Sequence, residues 1–181
     1  MDFLYELGRA IANFQALESG LKRFIALLLD SSDLDPGRIT ASELSYRAKV
    51  AVLRALYDYR VSDKERTTRM RALLGRIAGF EDERNRFMHS SYSGYGEEKI
   101  FRHKENSTLS AGFTRLKLET SHEELAEFSQ RLLSEREVLI EAYNDYLNFE
   151  YWEFKEGRPR LKNIPVITEK KDNRKKPRKT N

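Results

Sequence analysis

The chain has 181 residues, 39% apolar and 34% charged, enough for one compact domain with a hydrophobic core and a well-solvated surface. It contains no cysteine, which excludes disulfides, thiolate nucleophiles and cysteine metal sites. Its longest apolar run, Phe24 to Leu29, is far too short to cross a bilayer. The N-terminus carries Asp2, Glu6 and Arg9 within its apolar pattern and lacks the layout of a signal peptide, so a cytoplasmic protein without a membrane partner is expected.

Four long helical patterns are predicted, with no internal repeat. The first runs from about Asp2 to Leu29, with Leu4, Leu7, Ile11, Phe14, Leu21, Phe24, Ile25 and Leu28 on one stripe. Asp33 to Gly37, with Pro36, reads as a break. The second helix starts at Thr40, boxed with Glu43, and ends near Tyr59; the third starts at Ser62, boxed with Glu65, and ends near His89. Tyr92 to Gly96 reads as a loop. Residues 99–103 and 113–118 read as two short strands joined through Glu105-Asn106-Ser107. The fourth helix starts at Ser121, boxed with Glu124, and runs to about Phe149. The expected fold is all-α: an up-and-down four-helix bundle over residues 1–154, with a short β-hairpin insertion (about 92–118) between helices three and four.

Charge divides the chain unevenly. Residues 155–181 hold eleven Lys and Arg against three acids, and three of the four prolines; residues 1–154 hold 22 basic and 26 acidic side chains. The 155–181 segment is too polar to offset its ordering entropy and reads as a disordered tail. Its cations, Lys175, Lys176 and Arg178 among them, either capture RNA electrostatically or simply keep the protein soluble.

The third helix breaks its own pattern. Met70, Leu73, Ile77, Phe80, Arg84 and Phe87 keep the spacing of a buried stripe, which sets a guanidinium in an apolar seam. Such a charge is costly unless paired or hydrogen-bonded. The first helix has a matching breach at Glu18, so Glu18 and Arg84 are expected to meet in the interior. Asn85 and His89, four residues apart, share a face turned roughly 100–140° from Arg84. Lys49 and Arg86 are candidates to line a groove beside them. A lone Arg or His near a helix end is more often a surface or capping residue, but the seam position of Arg84 asks for a structural or functional reason. His103 and His122 stand apart from one another, with none of the spacings that hold a metal, so neither metal nor cofactor is expected. Gly75 and Gly79, four apart, either admit a second helix closely or are merely tolerated.

The run Arg84-Asn85-Arg86-Phe87-Met88-His89, late in the third long helix of a four-helix chain, resembles the motif of the HEPN superfamily: Arg, a polar residue, three variable residues, then His. HEPN domains are helical and occur in many prokaryotic toxin and defence ribonucleases. The resemblance implies a metal-independent endoribonuclease in which the RNA 2′-hydroxyl is the nucleophile. His89 would act as general acid or base, a task an imidazole performs near neutral pH. Arg84 would stabilise the scissile phosphate, and Asn85 would orient His89 or the phosphate. It further implies a homodimer in which two motifs share one cleft, and an antitoxin partner protein. One toxin branch carries Tyr two positions after the His; this chain has Ser91 there, and Tyr92 follows. Other members of the superfamily are non-catalytic interaction modules.

Overall fold

A computed structural model describes residues 3–30, 33–94, 100–108, 112–155 and 158–161, with side chains described for all but 105–108, 112–115, 149–155 and 158–161. The first helical pattern forms α1 (Phe3–Leu29), and its stripe buries Phe14, Leu17, Leu21, Phe24, Ile25 and Leu28. The last pattern forms α6 (His122–Tyr151), packed along α1 through Leu125, Phe128, Leu132, Leu139 and Tyr146. The two helices approach so closely at Gly20 that a methyl there would lie 3.1 Å from Leu139 Cδ2. Between them in sequence come α2 (Leu34–Ser42), α3 (Tyr46–Arg60), α4 (Lys64–Ile77) and α5 (Phe80–Met88). Val50, Leu53 and Tyr57 of α3, Leu73, Leu74 and Ile77 of α4, and Phe80 and Phe87 of α5 complete a single core. Phe24 lies near its middle, edge-on to Tyr57 at 5.8 Å and to Tyr143 at 5.4 Å.

The fold is therefore mostly helical with a small antiparallel sheet, but among the described residues six helices take the place of the four expected. The Asp33–Gly37 stretch opens a helix rather than breaking one. Asp33 caps α2 by accepting from the Asp35 amide at 3.1 Å, and Pro36 falls in the first turn, where its missing N–H has no helical partner to lose. Gly37 stands against α1: a Cβ there would come within 2.7 Å of Ala26 Cα. The next helix starts at Tyr46, capped by Ser45 through the Ala48 amide, not at Thr40, whose hydroxyl donates to the Pro36 carbonyl inside α2. Asp63, not Ser62, caps α4 by accepting from the Arg66 amide at 2.9 Å. The third predicted helix is interrupted at Ala78-Gly79, where α4 stops and α5 resumes. Buried Tyr46 donates its hydroxyl to the Ile77 carbonyl at 2.9 Å, satisfying an acceptor that the break leaves without a helical donor. Burial continues through the break at Ile77 and Phe80, so the apolar stripe survives it. Ser121 caps α6 as expected, accepting from the Glu124 amide at 3.3 Å.

The sheet has the order β1-β2-β3: β1 is Ser91–Ser93, β2 Ile100–Thr108 and β3 Gly112–Thr120. The predicted hairpin exists but is longer, with Glu105-Asn106-Ser107 inside β2 rather than in the turn, and β1 comes from residues read as loop. Two more strands, β4 (Trp152–Lys155) and β5 (Arg158–Leu161), pair with each other, so the predicted disordered tail begins with a strand ladder. Lys175, Lys176 and Arg178 lie outside the described residues. Among the described residues no helix is long and apolar enough to cross a membrane.

Candidate functional site

The six motif residues occupy the C-terminal part of α5 and its cap. Glu81, Asp82 and Glu83 fill the first turn, the end of a helix that favours negative charge. Arg47 reaches Asp82 at 2.5 Å and Glu81 at 3.5 Å, and Arg131 bridges Glu83, so α5 is anchored to α3 and α6. At the other end the last carbonyls need donors from outside the helix. The sheet supplies two. Arg102 of β2, itself buried, donates from Nη1 to the Arg86 carbonyl at 2.8 Å, and Tyr92 of β1 donates its hydroxyl to the Phe87 carbonyl at 2.6 Å. Placing a guanidinium at the negative end of the helix adds a favourable dipole interaction. Tyr92 also packs on Phe3 with ring centroids 4.9 Å apart, tying the clasp to α1. The β insertion thus fixes the helix end that carries His89.

His89 is the C-cap of α5: its amide donates to the Asn85 carbonyl at 3.1 Å, and its side chain is exposed. Together with Asp82, Asn85, Arg86 and Ser90 it lines a cavity of about 460 Å³ to which β2 contributes Lys104. Arg86 is half-exposed, with Nη2 2.6 Å from Glu124 Oε1 and its guanidinium 4.7 Å from the centroid of Phe87. Thr120 donates to the other oxygen of Glu124 at 2.8 Å. One cavity thus gathers an accessible imidazole, an amide and two cations, Arg86 and Lys104. Lys104 escaped the sequence reading because the strand was taken to end at His103. Residues 104–108 are all polar, so no alternation of apolar and polar side chains marked the strand's continuation.

Arg84 faces elsewhere. It borders a separate cavity of about 120 Å³ with Ile11, Phe14, Gln15, Glu18 and Met88. Its Cζ lies 4.7 Å from the Phe14 ring centroid, and its buried Nε has no hydrogen-bond partner. The expected Glu18–Arg84 pair is replaced by another. Glu18 borders the same cavity, but its Oε1 lies 2.9 Å from Nζ of Lys49. Lys49 is only 3% exposed and also donates to the Leu44 carbonyl. An ammonium so far from water needs a carboxylate, and Glu18 supplies it. Lys49 is consequently a buried partner of α1, and the expectation that it lines the groove beside His89 is overturned. The arginine is accommodated instead by the face of an aromatic ring. The motif therefore opens on two flanks of α5, Arg84 on one and Asn85, Arg86 and His89 on the other, as the rotation between them along the helix requires.

Burial, with Glu18 and then Glu81 adding to it, raises the hydroxyl pKa of Tyr46 well above the usual tyrosine range. Among the described residues no three His, Asp or Glu side chains converge as a metal site. His103 meets Ser93 Oγ at 2.8 Å and His122 meets Glu123 at 2.8 Å. A Cβ at Gly75 or Gly79 would meet nothing within 4 Å, so neither serves a close helix approach inside the described chain. Comparison with family models, with curated proteins and with solved structures finds no match for this chain.

Proposed function

We propose that the chain is a metal-independent endoribonuclease of the toxin or phage-defence kind, working from the groove around His89. The observation that carries this reading is the juxtaposition of an exposed imidazole, Asn85 and two cations, Arg86 and Lys104, around one cavity. Phosphodiester cleavage in RNA needs little more. The 2′-oxygen attacks the adjacent phosphorus, the P–O5′ bond breaks, and a 2′,3′-cyclic phosphate and a 5′-hydroxyl result. His89 takes the proton from the 2′-hydroxyl or gives one to the leaving oxygen. Lys104 and Arg86 hold the phosphate, and Asn85 orients it or the imidazole by hydrogen bonding. Arg84 opens on the other flank of α5, so its part in the reaction belongs to a homodimer in which two motifs share a cleft, as the HEPN resemblance implies. An antitoxin partner and a cytoplasmic setting belong to the same reading.

One observation favours a second reading, a non-catalytic helical module that binds a protein or nucleic acid. Arg84 stacks on Phe14 and does not converge with His89 within one chain. Cleavage assays on a single-stranded RNA separate the two. Under the first reading His89→Ala lowers the rate at least about a hundredfold, the products end in cyclic phosphate, and a 2′-deoxy residue at the cut site blocks cleavage. A wild-type rate in His89→Ala removes the enzymatic reading.

A further inference from the structure

The sheet ends on a strand with one side unpaired. β2 lies between β1 and β3, so among the described residues only β2 pairs with β3. The β2–β3 ladder runs without a bulge through nine pairs, from Ile100↔Thr120 to Thr108↔Gly112, and residues 112–120 contain no proline. A long, regular edge of this kind presents a row of backbone donors and acceptors to another strand. It also presents apolar side chains: Leu116 is 50% and Leu118 40% exposed. Residues directly opposite in a ladder share a face, so Leu116 lies beside Lys104 and Leu118 beside Arg102. That is the face that clasps α5 and borders the His89 groove.

We propose that β3 pairs antiparallel with β3 of a second copy of this chain, about a two-fold axis at Lys117, to give a continuous six-stranded sheet. The sequence of β3 is complementary to itself in that register. Leu116 opposes Leu118 of the copy and Leu118 opposes Leu116, closing the exposed apolar pair on the groove side. Arg115 opposes Glu119 of the copy and Glu119 opposes Arg115, giving two cross-strand pairs of opposite charge. An axis at Leu116 instead sets Arg115 against Lys117, and one at Leu118 shortens the overlap to residues 116–120. The central Lys117 residues do meet each other, but each ammonium is drawn back over its own Phe101 ring, with Nζ 3.7 Å from the centroid. A self-matching pattern of this kind selects a second copy as the occupant, and the pairing sets two His89 grooves on one face of one sheet. The inference does not depend on the ribonuclease reading.

The absence of cysteine makes the test direct. In the full-length protein, Lys117→Cys places two thiols at directly opposed positions, within disulfide reach. Glu119→Cys places them about 13 Å apart along the strands, beyond it. Mild oxidation should convert Lys117→Cys to a covalent dimer and leave Glu119→Cys monomeric. Sedimentation of the cysteine-free protein should show a concentration-dependent dimer. Glu119→Arg should weaken that dimer about tenfold or more by turning both charge pairs repulsive, and Arg115→Glu added to it should restore association. A wild-type chain that stays monomeric at high concentration overturns the proposal. So does association unmoved by Glu119→Arg, or faster cross-linking through Leu118→Cys than through Lys117→Cys. None of these measurements reads RNA cleavage: a dimer unmoved by Glu119→Arg overturns the β3 pairing alone, a monomer also removes the shared cleft proposed for Arg84, and neither touches the His89→Ala cleavage test.

Discussion

Arg84 sits in an apolar seam with its guanidinium over Phe14 and its Nε buried without a partner. A residue retained only for stability would do better as a hydrophobe of similar length, which keeps the packing and removes the desolvation cost. Arg84→Met is therefore expected to leave stability within about 1 kcal/mol of wild type, or to raise it. Under the proposed function the same change abolishes RNA cleavage. Urea denaturation alongside a cleavage assay checks both, and a loss of several kcal/mol would make Arg84 a structural residue. Glu18 behaves in the opposite way. Its removal leaves the Lys49 ammonium 3% exposed beside the Leu44 carbonyl with its carboxylate gone. Glu18→Ala should cost about 3 kcal/mol, because it leaves the buried Lys49 ammonium without its counter-charge. Lys49→Met should cost less, because a carboxylate nearer solvent is easier to rehydrate. The breach of pattern at Glu18 and Arg84 was legible in the sequence because periodicity gives the angle of a residue about its helix. The partner was not, because angle alone does not say which of several charges on a third helix reaches the same point. Lys49 was the competitor, and burial decided it.

At the level of elements, local capping signals placed one helix start and missed two, because several Ser, Thr and Asp side chains near each start can accept from a first-turn amide. Ser121 caps α6 as read, whereas Ser45 and Asp63 displaced Thr40 and Ser62. The Pro36-Gly37 pair misled for a different reason: proline is harmless in a first turn, and glycine there serves a close helix crossing that only the tertiary structure reveals. The sheet matters most to the site because it ends α5. Arg102→Met leaves the Arg86 carbonyl with Ser90 Oγ alone as donor, and should cost about 1–2 kcal/mol. The specific signature is faster hydrogen exchange at the His89 amide, which closes the last turn of α5 on Asn85. Unchanged protection there would mean that the clasp does not hold the helix end. Tyr46 plays a related part at the α4–α5 break. Its hydroxyl stays protonated in the fold above the pH, near 10, at which an unfolded tyrosine ionises. The native state then binds more protons than the unfolded one, so this contribution is present below about pH 10 and is lost as pH rises beyond it. Tyr46→Phe should cost about 1 kcal/mol at neutral pH through the unsatisfied Ile77 carbonyl, and should flatten the alkaline fall in stability. Chemical denaturation across pH 8 to 11 tests this; an equally steep fall in the variant would assign the loss to other groups.

Across the whole molecule, charge is separated along the chain rather than balanced around the site. The cations of the groove have acidic company: Arg86 is held by Glu124, and Asp82 lines the same cavity. Residues 1–154 carry more acidic than basic side chains, so long-range attraction of a polyanion falls to the segment that follows. Beyond β5, residues 162–181 bring eight Lys and Arg against two acids. That imbalance was plain from composition, while the groove needed the fold, because Lys104 and His89 come from a strand and a helix distant in sequence. If the terminal cations capture RNA, ending the chain after Leu161 should leave the melting temperature unchanged and weaken RNA binding at low salt. It should also flatten the dependence of log Kobs on log[salt] by up to about 0.7 for each terminal cation that touches a phosphate. Lys104→Ala in the groove should lower the same slope by about one such step while reducing cleavage more than binding. A truncated chain with the wild-type slope would confine RNA recognition to the groove. A truncated chain that binds no RNA would make the groove a site that acts only on what the basic segment delivers.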